Sequence, residues 1–95
     1  MTTSRSQLRR VADMKCKSVN LALNKPVDYL ASPAPDFRTN VGHYMVEHSG
    51  AGNRYRFVQV SNESGCTRDI SETLPLSQLV DVIEAFLRGI EATKE

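Results

Sequence analysis

The chain contains only two cysteines, Cys16 and Cys66, among its 95 residues. Its N-terminus is polar and lacks the apolar stretch of a secretory signal. No apolar run approaches the length of a membrane span. The expected setting is therefore the cytoplasm, with both thiols reduced and no membrane contact. A formal net charge of +1 carries no information about partners. There is no internal repeat and no low-complexity segment. Ninety-five residues support one domain over 1–95, with a thin stability margin that a second copy would improve.

Signatures of catalysis and metal binding are also missing. Cys16, Cys66, His43 and His48 are the soft ligands, and none has the two-residue spacing of a zinc knuckle. His43 and His48 lie on opposite faces of one expected strand. No metal and no cofactor is expected. There is no G-x-S-x-G elbow, and a Cys–His pair using Cys66 or His43 lacks any local signature. Most carboxylates fall in turns or on the solvent side of a helix, so the expectation is a protein that is not an enzyme. Gly50-Ala51-Gly52-Asn53 precedes a strand rather than a helix. It reads as a hairpin turn and not as a phosphate loop.

The most regular segment is the last. Leu76, Leu79, Val80, Ile83, Phe86, Leu87 and Ile90 recur at helical spacing, and Pro75 suits the first turn. Upstream, Val41–His48, Arg54–Val60 and Cys66–Ile70 read as three strands of a meander, separated by turns at 49–53 and 61–65. Lys17–Asn24 alternates, with Val19, Leu21 and Leu23 on one side, and reads as a half-buried first strand. Pro26–Ala31 reads as a turn of helix, and 32–36, with Pro33 and Pro35, as a loop that Phe37 anchors to the core. Residues 1–13 fit either a frayed basic arm or a short helix capped by Ser4 or Ser6 that carries Leu8, Val11 and Ala12. The expected fold is α+β: an antiparallel four-stranded sheet (β, short α, β-β-β meander) packed against one C-terminal amphipathic helix.

Charge is segregated along the chain. Arg5, Arg9, Arg10, Lys15 and Lys17 oppose only Asp13 near the N-terminus, whereas acids dominate from Glu72 onward. Arg54-Tyr55-Arg56-Phe57 alternates guanidinium groups with rings. With Arg68 on the next strand and the arm residues Arg9, Arg10, Lys15 and Lys17, it outlines a site for single-stranded nucleic acid. If the rings pack beneath the helix instead, only the arginines remain exposed. The strands followed by a helix, with Asp69-Ile70-Ser71 and then Leu74-Pro75-Leu76, resemble in layout a family of dimeric transcriptional coactivators that bind single-stranded DNA. That likeness spans roughly 54–91, is interrupted at Glu72-Thr73, and carries over no site residue.

The leading expectation is a small non-enzymatic binding or regulatory module that works by protein–protein contact as a homodimer. Its expected interface comprises Val82, Leu87 and Ile90, which widen the apolar face of the helix, together with the proline loop at Pro33 and Pro35. Single-stranded nucleic-acid binding is the alternative.

Overall fold

Ser4 opens the first helix through a reciprocal capping box. Its Oγ accepts from the Gln7 backbone N–H at 3.2 Å while the Gln7 Oε1 accepts from the Ser4 N–H at 3.0 Å. From there α1 runs unbroken over Arg5–Ala22 in a computed structural model that describes residues 4–32, 37–50 and 52–93. Its inner row is Ala12, Cys16 and Val19, at helical spacing, with Asn20 beside them.

This corrects both the frayed arm and the first strand. Val19, Leu21 and Leu23 do alternate in sequence, but on the helix Val19 points into the core and Leu21 points out, 63% exposed. The helix ends at Leu23–Asn24. The Lys25 N–H reaches the Asn20 carbonyl at 2.7 Å, and the Asn24 N–H reaches the Leu21 carbonyl at 3.2 Å. Asn24 itself has a φ of 57°, which makes this a Schellman stop with asparagine in the left-handed position. Asn24→Gly should leave the urea midpoint within about 0.5 kcal/mol of the parent, and Asn24→Val should cost about 1–2 kcal/mol. Equal midpoints for the two variants would contradict that geometry.

The expected turn of helix at 26–31 is not formed. Val27–Tyr29 is a bend, and Leu30–Ser32 (β1) pairs antiparallel with Arg38–Thr39 (β2) as a separate two-stranded ribbon. Pro33 and Pro35 lie outside the described residues. Phe37 does not anchor this segment to the core, since it is 65% exposed.

The meander is formed, with trimmed ends. Tyr44–His48 (β3), Tyr55–Val60 (β4) and Thr67–Asp69 (β5) make an antiparallel sheet in the order β3-β4-β5. There are thus two sheets, of two and three strands, rather than one of four. The last helix, α2, spans Leu76–Thr93, and the Pro75 carbonyl accepts its first backbone bonds, from Gln78 and Leu79.

Both helices cover the same sheet face. Tyr44 and Val46 of β3 and Tyr55 and Phe57 of β4 form one buried cluster with Ala12, Cys16 and Val19 of α1 and Leu76, Leu79 and Ile83 of α2. Phe86 meets Tyr44 at 5.7 Å and Phe57 edge-on at 5.3 Å between ring centroids. On the other face Val58 is still fully buried. It belongs to the central strand, in register with Met45 on one side and Asp69 on the other.

Candidate functional site

The strand arginines and aromatics do not converge on a surface. Phe57 is fully enclosed and Tyr55 is buried, so neither ring offers a face on which a base could stack. The alternation along β4 places these rings opposite Arg54 and Arg56, and the helices cover the side on which the rings lie. Arg56 is spent on its neighbours: Nη2 donates to Glu47 at 2.7 Å, and Nη1 lies 3.3 Å from an Asp69 carboxylate oxygen. Arg68 donates from Nε and Nη2 to Gln59 Oε1, at 3.0 and 2.6 Å. Arg54 is exposed just before β4.

Of the basic arm, Arg9 is built into the fold. Its Nε pairs with Asp13 at 3.1 Å, its Nη2 donates to the Val46 carbonyl at 3.1 Å, and its guanidinium sits 5.6 Å above the Tyr55 ring centroid. Lys15 pairs with Glu84 across the two helices. Arg10 and Lys17 are exposed.

A polar cluster joins α1 to the start of β3. Asn20 is completely buried; its Oδ1 accepts from the Tyr44 N–H at 2.8 Å and its Nδ2 donates to the Tyr44 carbonyl at 3.1 Å. A helix side chain thus makes the bonds that a neighbouring strand would make, and it closes the free edge of β3. The nearby His43 Nδ1 lies 2.9 Å from the Pro26 carbonyl. A carbonyl can only accept, so Nδ1–H is the donor in that contact.

Cys16, Asn20, Tyr29 and His43 help line an open cleft of about 380 Å³. The Cys16 thiol is pushed up to about 12, first by burial and then by the nearby Asp13 carboxylate. It stays protonated and is a poor nucleophile. Cys66 is exposed in the turn before β5. Among the described residues no three His, Cys, Asp or Glu side chains meet in a way that could hold a metal ion. No helix among them is long and apolar enough to cross a membrane.

The feature that stands apart is the outer face of the two helices. Val11, Met14 and Leu21 are 38%, 68% and 63% exposed. With Ser18 they recur at intervals of three and four residues, forming a second row on α1 that points away from the sheet. Val11, Met14, Lys15 and Ser18 line a shallow groove of about 260 Å³ whose other wall is Glu84 and Leu87 of α2. Glu84 is held below its ordinary carboxyl value, first by its hydrogen bond from Lys15 and then by that from Arg88. The groove is thus apolar along its length and charged where the helices are tied together.

Of the residues singled out on α2, Leu87 and Ile90 are half-buried against the core, and Val82 is exposed. The row on α1 escapes notice if 17–24 is taken as a strand. The signal that reveals it is Ser4-x-x-Gln7 followed by Leu8, Val11 and Ala12, which starts a helix at residue 5.

Set against known protein families, curated proteins and solved structures, the chain has no match in any of the three comparisons.

Proposed function

We propose that the protein is a non-enzymatic binding module that acts by protein–protein contact, and that its working surface is the outer face of the two-helix layer. The supporting observation is the exposure of Val11, Met14 and Leu21 in one helical row beside a groove that continues to Leu87. These side chains contribute nothing to the buried cluster, which α1 meets with Ala12, Cys16 and Val19 instead. A row of large apolar side chains, broken only by Ser18, that the fold leaves uncovered is a mark of a contact surface. The rim carries charge and the centre is apolar, as in interfaces that form between folded proteins.

The test is a photo-reactive amino acid placed at position 14 or 21 of the full chain in its native cell, with position 53 in the exposed hairpin turn as control. Discrete protein adducts are expected from 14 and 21 and not from 53. Met14→Glu should abolish the adducts formed from position 21 while moving the melting transition by no more than about 0.5 kcal/mol, as for other exposed sites. No adduct from 14 or 21, or equal labelling from 53, would sink the proposal.

A further inference from the structure

We infer that the occupant of this face is a second copy of the chain, seated about a two-fold axis so that α1 of each copy crosses α2 of the other. The inference rests on the outer helical face being a contact surface, and it adds the partner and the arrangement.

The argument is electrostatic. α1 carries Arg5, Arg9, Arg10, Lys15 and Lys17 against the single carboxylate Asp13, whereas α2 carries Asp81, Glu84 and Glu91 against Arg88. Part of this charge is used inside the molecule, in the pairs of Arg9 with Asp13 and of Glu84 with Lys15 and Arg88. What is left over is segregated by helix. Arg5, Arg10 and Lys17 on α1, and Asp81 and Glu91 on α2, are exposed and have no ion-pair partner among the described residues.

Stacking α1 on α1 of a second copy would set Arg10 and Lys17 against themselves. Crossing α1 over α2 sets them against Asp81 and Glu91, and the two-fold axis repeats the match, so the assembly closes as a dimer rather than running on as a filament. The apolar row fits the same arrangement. Met14 and Leu21 protrude from α1, and the exposed face of α2 presents the small residues Ala85 and Ala92 beside Asp81 and Arg88. Two 18-residue helices are each about 27 Å long and about 10 Å across, so the layer offers on the order of 500 Å² per copy. The total of about 1,000 Å² is the lower bound for a specific interface.

Sedimentation equilibrium of the full chain at about 0.05 M and about 0.5 M salt tests this, since screening shortens several-fold over that range. A dimer is expected whose dissociation constant rises with salt. Reversing Arg10 and Lys17 to Glu should weaken it about tenfold, as should reversing Asp81 and Glu91 to Lys, and the combined fourfold variant should return to near parental affinity. A dimer that tightens with salt, or that the combined variant fails to restore, overturns the crossed arrangement. A monomer at all concentrations, with photo-adducts from position 14 to a different protein, overturns the second copy while the contact face stands. A dimer that Met14→Glu leaves intact overturns the second copy on this face, and the absence of any adduct from position 14 or 21 overturns both.

Discussion

Asn20→Ala is expected to lower the unfolding free energy by about 3 kcal/mol or more, read as a shift of the urea midpoint at unchanged slope. The side chain is fully buried and serves both the N–H and the carbonyl of Tyr44. Its removal leaves two buried backbone groups of Tyr44 without their partner, at roughly 1–3 kcal/mol each. For a domain whose total stability is on the order of 5–15 kcal/mol, that is a large fraction.

Asn20→Asp separates lost hydrogen bonding from lost volume. The carboxylate keeps the acceptor for the Tyr44 N–H but faces the Tyr44 carbonyl with no proton to give. Burial and that carbonyl raise its folded pKa above the unfolded value, so the variant is weak at neutral pH and gains stability as pH falls through the folded pKa. An Asn20→Ala protein as stable as the parent, or an Asn20→Asp protein without this recovery relative to the parent, would remove the edge-closing role of Asn20.

Phe57→Ala should cost about 3–5 kcal/mol and lower the melting temperature by about 15 °C or more, near the limit of what a domain of this size tolerates. The ring is wholly enclosed and touches Tyr44 and Phe86 at centroid distances of 5.7 and 5.3 Å. Calorimetry decides between two roles for the same residue. A ring that served as a stacking platform would lie in solvent, and its loss would leave the melt unchanged. Arg54→Ala, at the exposed start of the strand, provides the contrast and should be thermally silent within about 0.5 kcal/mol.

The legibility of this fold tracks how each element spends its apolar side chains. α2 puts Leu76, Leu79 and Ile83 into the core on one helical stripe, so its period is plain. The meander is readable because Ser49–Asn53 and Ser61–Gly65 carry turn residues between alternating runs. α1 divides its apolar residues between two rows. The inner row is built from Ala12, Cys16 and Val19, two of them small, and it holds a buried Asn20. The larger Met14 and Leu21 point outward. Hydrophobicity spread around a helix in this way blurs the helical period, and the chance alternation of Val19, Leu21 and Leu23 then looks like a strand.

The basic–aromatic strand has the opposite character. Its alternation is real over residues 54–57, with the rings toward the helices and the arginines away from them, while further along Val58 and Val60 are buried on the opposite face as well. Which side the helices cover is a tertiary fact, set by where α1 and α2 pack. The candidate surface was hidden for a related reason: Met14 and Leu21 define a face only once residues 5–22 are one helix.

The clamp that α1 places on β3 also bears on where aggregation would begin. Asn20 occupies the outward N–H and carbonyl of Tyr44, and Arg9 the carbonyl of Val46, where another strand would otherwise add. Lifting α1 while the meander stays intact uncovers those groups beside apolar side chains, a ready template for intermolecular β-pairing. The species expected to seed aggregation is a near-native one with its first helix undocked. The rate of seeding follows the free energy of that local opening rather than that of global unfolding.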